Sequence, residues 1–278
     1  MASRDDSPAQ SDRAEAGRVP WFQLVLALLG SLLLLLVVAP LAGLVLTSSS
    51  ADLGQALADP EVIGSIQLTL AAAGLATLGC AILGIPLAYL LARRSFPGRA
   101  AVLAIIDLPI VLPHSAAGIA LLTVLGRRTA AGAVLERWGI GIVGEITGIA
   151  LAMAFVSLPF LLNAARDGFA AVPQRLENVA RTLGASPARV FFTVSLPLSW
   201  RPILSGMVMM WGRGISEFGA VIIIAYHPMV TPVLVYQRFN DFGLGSAQAV
   251  AVLLVAVCVA LFIGLRLLTR SPSESSRA

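Results

Sequence analysis

A run of 26 residues without a charge, from Trp21 to Leu46, constrains this chain more than any other feature. At about 1.5 Å per residue in a helix, such a run crosses a hydrocarbon core of roughly 30 Å. It is longer than the apolar region of a cleaved signal peptide, which has about 7–15 residues. We therefore predict a retained transmembrane helix, preceded by a disordered cytoplasmic segment over residues 1–20.

Five more apolar segments follow, and the composition agrees with them, because 58% of the residues are hydrophobic and only 12% are charged. A lipid-exposed backbone has to satisfy its own hydrogen bonds, and the alternating strands typical of a β-barrel are absent from the sequence. The sequence thus predicts an all-α integral membrane protein and excludes a cytosolic enzyme, a collagen and a coiled coil. The six predicted spans are about 21–46, 62–92, 100–126, 146–165, 202–226 and 244–265.

The distribution of arginine predicts the orientation. All 19 basic residues are arginine. With the N-terminus inside, 14 of them fall in inner segments and four, Arg127, Arg128, Arg137 and Arg238, fall in outer loops. Positive residues accumulate on the cytoplasmic side, so both termini, including the tail at 269–278, are predicted to be cytoplasmic. Because the arginines lie between apolar runs, the net charge of +4 indicates membrane topology rather than nucleic-acid binding.

The sequence gives little support for a catalytic or metal site. Cys80 and Cys258 each lie inside an apolar run, outside any metal-binding pattern. The absence of lysine removes a P-loop lysine and a Schiff base from consideration. Residues 139–144 fit the pattern GxGxxG, but no strand precedes them, so no nucleotide site is predicted there. Neither a metal nor a cofactor is expected on this chain.

The loop between the fourth and fifth spans, residues 166–201, is too long for a simple helix connection, which has about 2–8 residues. Apolar residues at helical spacing predict one short helix over 176–183, and Gly184 is suited to end it. Ser186 and Pro187 supply the N-cap and first residue of a second short helix. This second helix is predicted to run through Phe192 and to end before Leu196.

This loop resembles the EAA loop of permease subunits of ABC importers. The family pattern is Glu-Ala-Ala, three residues, Gly, nine residues, Ile, any residue and Leu-Pro; Gly184 and Leu196-Pro197 match it, and Val194 replaces Ile. Asn178 stands where the pattern has Glu, and Glu177 lies one place earlier. The resemblance implies the six-helix fold of a type I importer permease with a cytoplasmic coupling helix. The ATPase-coupling residues it implies are Glu177, Asn178, Ala180, Gly184, Ala185, Ser186, Pro187, Leu196 and Pro197.

The resemblance also implies partners. In this family the coupling helix lies in a groove on a separate ATPase subunit, and closure of two ATPase copies rocks the membrane helices. This chain has no GxxxxGK[ST] motif, so ATP and Mg²⁺ are expected on the partner ATPase. One six-span chain supplies half of a pathway in this family, which implies a homodimer with two ATPase subunits. An extracytoplasmic oxyanion-binding protein and a prokaryotic cell membrane complete the expected assembly.

The stretch from Arg213 to Leu244 narrows the substrate. Its Ser-Glu-Phe-Gly run at 216–219 is similar to permeases for tetrahedral oxyanions, in the sulfate, molybdate and tungstate branches. The short link at 225–232 most resembles the tungstate/molybdate branch, since sulfate-type chains tend to have a longer link. The resemblance covers about residues 20–270. It implies import of tungstate or molybdate, with a sulfate or thiosulfate permease as the alternative.

Two polar clusters within the spans are candidates for the pathway or its gate. Arg213 and Glu217 stand at i and i+4, which predicts a pair that faces the bundle interior and either locks the packing or serves the pathway. Such a pair has almost no net charge, so we do not expect it to bind the anion itself. The candidate residues are Asp107, Pro109, Pro113, His114, Arg213, Ser216, Glu217 and Phe218.

Two prolines four residues apart, Pro109 and Pro113, predict that the third span is kinked or broken, as is common near a transport path. Asp107 is expected near the inner end of this span, paired with one of the arginines at 93, 94 or 99. His114 is expected to be an interior imidazole with satisfied hydrogen bonds.

Two other functions stay open from the residues alone. An ion-coupled secondary transporter could use Asp107, His114 or Glu217 as a relay, but it leaves the long loop unexplained, and no inverted repeat is obvious. An intramembrane enzyme could pair His114 with Asp107, which lie seven residues apart in a proline-broken segment. Only the importer requires a partner ATPase.

Overall fold

A computed structural model describes residues 21–269, with side chains as far as Gly264. The predictions for residues 1–20 and for most of the tail lie outside the described residues. Every regular element within 21–269 is helical, as predicted. In chain order the helices are α1 (Trp21–Leu46), α2 (Ser50–Ala58), α3 (Pro60–Arg93), α4 (Arg99–Val111), α5 (His114–Leu125), α6 (Ala130–Arg137), α7 (Ile146–Ala171), α8 (Gln174–Thr182), α9 (Pro187–Val190), a π-turn (Phe191–Ser195), α10 (Leu196–Leu198), α11 (Trp200–Ile215), α12 (Gly219–Ile224), α13 (Thr231–Phe242) and α14 (Leu244–Thr269).

Among the described residues, four helices, α1, α3, α7 and α14, are long and apolar enough to cross a membrane. Helices α4 and α5 pass the same test together, but they meet at a bend of 118° and form a fifth span only if they are counted as one. The segment predicted as the fifth span, 202–226, is divided into α11 and α12 by the residues at 216–218. The described helices are compatible with six spans, and the count of six stays a prediction.

Helix α1, with the residues up to Ser48, forms a compact unit of its own. None of its 26 residues is buried, and leucine and valine side chains cover its surface. Because exposed apolar surface is unfavourable in water, such a helix suits a hydrocarbon environment.

In the second unit, which begins at Ser49, α7 packs against both α3 and α11. The contact faces carry small buried residues, such as Ala73 and Ala76 on α3 and Ala152 on α7. Small side chains let helices approach closely in a membrane, where packing rather than the hydrophobic effect drives their association. These three helices form the frame to which the shorter helices attach.

The two interrupted segments meet at their breaks. Pro109 is tolerated inside α4, whereas Pro113 separates α4 from α5. Helix α5 packs against α12, and a Cβ on Gly219 would lie 2.7 Å from the Cβ of His114. A larger residue at 219 would therefore force the two breaks apart. This close approach brings His114 next to the segment from Arg213 to Glu217.

Helix α13 is attached to α3 at two levels. Near its start, the Thr231 backbone N–H donates to Thr69 Oγ1 at 2.8 Å. Near its end, Arg238 donates to Asp59 Oδ2 at 2.7 Å and to Glu61 Oε2 at 2.6 Å. The hydrogen bond from Arg238 holds the pKa of Asp59 below its ordinary value. These contacts fix the register of α13 along the first turns of α3.

Candidate functional site

The loop between α7 and α11 folds as two short helical segments, as the sequence predicts; we call residues 172–199 the elbow. After α8, Gly184 has a φ of 85°, in the left-handed region that favours glycine. Ser186 then caps the next helix, because its Oγ accepts a hydrogen bond from the Arg189 N–H at 3.3 Å. The predicted end of the first helix at Gly184 and the start of the second at Ser186 and Pro187 are confirmed.

The second segment of the elbow is longer than predicted. The expectation that it ends before Leu196 is wrong, because α9 continues through the π-turn into α10, which contains Pro197. Proline inside an α-helix loses a hydrogen bond and clashes with the preceding turn. Here Pro197 stands in the first turn of α10, two residues after the π-turn ends at Ser195. The helical path therefore runs from Pro187 to Leu198.

Glu177 anchors the elbow to α3. It is 2% exposed, and its Oε1 accepts hydrogen bonds from Arg93 Nε and Ser195 Oγ, both at 2.8 Å. Tyr89 donates to Oε2 at 3.2 Å. Arg93 also donates to the carbonyl of Val172 at 3.0 Å. One buried carboxylate and one guanidinium thus join α3, the end of α7, α8 and the π-turn.

The anchor keeps Glu177 charged. Burial alone would raise the pKa of Glu177, because it penalises the ionised form. The hydrogen bonds from Ser195 and Arg93, together with the positive charge of Arg93, outweigh burial and hold the pKa below its ordinary value. The sequence placed Glu177 among the residues that meet the ATPase, but its buried side chain faces its own chain instead. Its contacts hold the elbow in position against α3.

The other predicted coupling residues lie at the surface of the elbow. Of these, Asn178, Gly184, Ser186, Pro187 and Pro197 are exposed, and Ala180, Ala185 and Leu196 are half-buried. Beside them, Leu183 is 83% exposed and Val179 is 56% exposed. The elbow therefore presents large apolar side chains at its surface.

A second cluster lies where the two breaks meet. Arg213 Nη2 is 3.1 Å from Glu217 Oε2, so the predicted pair is confirmed. The same nitrogen donates to His114 Nε2 at 2.8 Å. His114 Nδ1 lies 3.2 Å from Glu217 Oε2. Arg213 Nη2 also lies 3.2 Å from His114 Nδ1, and because arginine can only donate, the imidazole nitrogen to which it bonds is the acceptor. The sequence did not connect His114 with Arg213 and Glu217, and we call these three residues the triad.

The triad is buried on one side and accessible on the other. Glu217 is fully buried, and its Oε1 accepts a hydrogen bond from the Ala220 N–H at 2.9 Å. Its Oε2 receives no well-aligned hydrogen bond within the described residues, although Arg213 Nη2 and His114 Nδ1 lie 3.1 Å and 3.2 Å away. The His114 side chain is 40% exposed. Ser216, which is exposed, accepts a hydrogen bond from Arg213 Nη1 at 3.2 Å.

Phe218 continues this surface towards α13. Its ring packs against that of Tyr236, with centroids 5.1 Å apart. Phe218 is half-buried, whereas Tyr236 and Phe239 are exposed. An aromatic surface thus lies next to the accessible side of the triad.

Asp107 has a partner that the sequence did not suggest. Its Oδ1 accepts a hydrogen bond from Asn163 Nδ2 at 2.6 Å, which links α4 to α7. Within the described residues, no arginine pairs with it, since Arg93 is engaged by Glu177 and Arg99 donates to a backbone carbonyl. The expected arginine pair is therefore wrong. His114 and Asp107 have different partners, which gives no support to an enzyme that uses them as base and orienting group.

Sequence reasoning missed the groups that complete these sites. Tyr89, Arg93 and Ser195 are 88, 84 and 18 residues from Glu177 in the chain. Local periodicity carries no signal for such pairs. The position of Arg93 at the end of a long apolar span was the available hint, because a charge there needs a partner. Within the described residues, no group of three or more His, Cys, Asp or Glu is placed to hold a metal ion.

Comparison with known proteins identifies the family. Residues 84–273 match the binding-protein-dependent transport system inner membrane component, over more than half of the chain. This chain belongs to that family. The predicted ABC importer permease is thereby confirmed as a multi-pass membrane component, and the secondary transporter and the intramembrane enzyme lose their support.

Individual relatives agree with the family. The chain is 43% identical over 242 residues to the molybdate/tungstate transport system permease protein WtpB of Thermococcus kodakarensis, with 86% of this chain and 93% of the relative covered. It is 34% identical over 250 residues to a probable sulfate transport system permease protein of Chlorokybus atmophyticus, covering 88% and 87%. Its fold is similar to a bacterial ABC transporter involved in alginate import, with a TM-score of 0.68, 20% identity and coverage of 90% and 96%.

Proposed function

We propose that this permease forms half of the translocation pathway for molybdate or tungstate in an ATP-driven importer. Two copies would enclose the pathway, and each would bind one ATPase subunit through its elbow. ATP and Mg²⁺ would be held by those subunits, and an extracytoplasmic binding protein would deliver the anion. The observation that carries this proposal is the elbow itself, which presents an apolar tip while the buried Glu177–Arg93 pair fastens it to α3.

The choice of anion rests on the relatives. The one named for molybdate and tungstate transport is 43% identical, and the one named for sulfate transport is 34% identical. Tungstate and molybdate are therefore the substrates we expect, and sulfate is the second candidate.

The orientation follows from the arginines, with 14 in the inner segments against four in the outer loops. Both termini and the elbow then lie in the cytoplasm, where the ATPase is. Movement of the ATPase subunits would shift the elbow, and the anchor would pass that shift directly to α3 and to the end of α7.

The triad is our candidate for the lining of the pathway. An arginine and a histidine that are partly accessible at membrane depth do not face hydrocarbon without a large cost. Their accessible side therefore faces either water or the second copy of the chain. Helix breaks are the usual sites of polar backbone in transporters, because irregular backbone is tolerated only where it is buried or lines a cavity. The pathway would thus pass the breaks at Pro113 and at 216–218.

The test is ATP hydrolysis by the complete importer in lipid vesicles. The permease is assembled with its ATPase and binding protein, and hydrolysis is measured with tungstate, molybdate or sulfate as the anion. We expect tungstate and molybdate to stimulate hydrolysis and sulfate not to. Stimulation by sulfate alone would keep the importer and overturn the substrate. Failure to bind any ATPase would overturn the role of the elbow.

A further inference from the structure

A polar pocket of about 300 Å³ lies where α3 meets the elbow. Its charged lining consists of Arg93, Arg94, Arg181 and Glu177, that is, three guanidinium groups against one carboxylate. The amide side chains of Gln174 and Asn178 complete the polar wall. The pocket therefore carries an excess of two positive charges, and its chemistry favours an anion.

Two of these arginines have donors to spare. Arg93 is the third, and its Nε and Nη2 are already bonded to Glu177 and to a backbone carbonyl. Arg181 lies 3.6 Å from Glu177 Oε2, beyond the usual length of a hydrogen bond, and its side chain is 48% exposed. Arg94 is exposed, and its side chain makes no hydrogen bond or ion pair with any described residue. Planar guanidinium groups match the oxygens of a phosphate in a bidentate manner.

An apolar groove lies on the same face of α3, directly towards the middle of the membrane. It has a volume of about 630 Å³ and is lined on α3 from Leu75 to Leu87 and by facing residues of α7. At the end away from the polar pocket, it is closed by Leu125, Leu135, Ile140 and Ile142. At about 1.5 Å per residue, this stretch of α3 is about 18 Å long. That length is comparable to one leaflet, which is half of a hydrocarbon core of roughly 30 Å.

The groove and the polar pocket are continuous along one helical face. Leu83 and Leu87 line the groove, and Leu90 and Arg94 line the pocket. These positions are spaced by four, three and four residues, so they lie in one row on α3. The three leucines are 78%, 39% and 52% exposed. A surface that is apolar for the depth of a leaflet and ends in arginines matches the shape and charge of a phospholipid.

We propose that this row binds an anionic phospholipid, with its phosphate among Arg94, Arg181 and the two amides and an acyl chain in the groove. A free anion would occupy only the polar pocket, whereas a lipid accounts for both parts of the surface. Basic pockets between transmembrane helices at the cytoplasmic side are a recurrent way to hold lipid head groups. The bound lipid would join α3 and α8 from outside, beside the internal anchor at Glu177. The assignment to the inner leaflet rests on the proposed orientation, but the binding itself does not.

The test uses the delipidated complex of the permease with its ATPase, titrated with phosphatidylglycerol or phosphatidylcholine and observed by native mass spectrometry. The variant Arg94→Gln/Arg181→Gln should bind phosphatidylglycerol about 30-fold more weakly, from the usual contribution of two arginines near a membrane surface. The matched control, Arg175→Gln/Arg189→Gln, removes the same charge from the elbow outside the pocket and should bind within about twofold of the parent.

A groove variant separates the lipid from a small anion. Gly79 lines the groove, and no atom lies within 4 Å of the position that its Cβ would occupy, so Gly79→Leu directs an added side chain into the groove. It should weaken binding of both lipids. The lipid site would be overturned in favour of a small-anion site by one result. In that result, inorganic phosphate binds equally well to the parent and to Gly79→Leu, and it displaces phosphatidylglycerol. Unchanged phosphatidylglycerol binding by the arginine variant, or lipid binding only when the ATPase is absent, would overturn it as well.

Discussion

Arg93 and Glu177 are the two side chains on which the elbow most depends. Arg93 Nη2 and Glu177 Oε1 are 2.7 Å apart, and the two side chains are only 9% and 3% exposed. Desolvation offsets much of the attraction in such a pair, so its presence alone is weak evidence for stability. Removal of one partner has a much larger effect, because it leaves a buried charge without compensation. The pair is therefore best tested by a double-mutant cycle.

We expect Glu177→Ala to lower the free energy of unfolding by about 3–5 kcal/mol, since Arg93 is then buried without its partner. The double variant Arg93→Ala/Glu177→Ala should recover part of that loss. Thermal unfolding of the permease in detergent measures both. Equal destabilisation by the single and the double variant would show that the two side chains do not act as a pair.

The lowered pKa of Glu177 gives the anchor a defined pH dependence. A carboxylate whose pKa is lower in the folded state contributes stability above its ordinary pKa of 4.5, and this contribution is lost as the pH falls through the folded value. Amide exchange reports how often the elbow opens, with exchange in α7 as the reference. We expect the ratio of the two exchange rates to be constant between pH 7 and 5 and to rise in favour of the elbow below about pH 4.5. Glu177→Gln should lack this transition. A transition of equal size in that variant would assign it to another group.

At the scale of helices, the informative features are the interruptions. The sequence predicted the break in the third span because two prolines mark it, and it predicted the Gly184 hinge because glycine, serine and proline follow in order. It did not predict the break at 216–218, where no proline stands. That break depends on tertiary contacts, in particular the packing of Gly219 against His114 and the hydrogen bond from Ala220 to Glu217. Such contacts leave no local pattern in the sequence.

The two interrupted segments should be held together by the triad. Arg213→Ala leaves the fully buried Glu217 without its arginine, so we expect it to be more destabilising than Arg213→Ala/Glu217→Ala. Melting temperatures of the purified variants in one detergent make this comparison. If the double variant melts at the lower temperature, Glu217 is stabilised mainly by His114 and by the Ala220 N–H.

Substitutions at Gly184 test the proposed contact between the elbow and the ATPase. No atom lies within 4 Å of a Cβ built at this position, so there is open space beside it, although its φ of 85° strains any side chain placed there. We expect Gly184→Trp to insert in the membrane normally but to lose substrate-stimulated ATP hydrolysis, because the added bulk lies at the exposed tip. Gly184→Asn should keep most of the activity, since asparagine tolerates the left-handed conformation. Normal stimulation in Gly184→Trp would remove Gly184 from the ATPase contact.

For the molecule as a whole, topology is the property on which the proposed function depends. The all-helical class could be predicted from the apolar runs alone, because lipid leaves the backbone few alternatives. The assignment of the elbow to the cytoplasm rests on counts of arginine, and three of the four outer arginines lie in one loop, at 127, 128 and 137. The side on which each loop lies is therefore the next property to measure.

Thiol labelling determines the sidedness directly. In a background of Cys80→Ala/Cys258→Ala, a cysteine at Ala188 reports on the elbow and one at Glu136 reports on α6, and both positions are exposed. We expect a membrane-impermeant maleimide to label Glu136→Cys in intact spheroplasts, and to label Ala188→Cys only after permeabilisation. The opposite pattern would invert the topology.

The anchor also limits how such subunits can be recombined. An elbow transplanted into another permease would carry Glu177 and Ser195 with it but would leave Tyr89 and Arg93 behind, since these belong to α3. The graft would then bury a carboxylate without Arg93, its hydrogen-bonded counterion, and with only the more distant Arg181 beside it. Chimeras that exchange the elbow to change the ATPase with which a permease works should therefore succeed only when the last turn of α3 is exchanged with it.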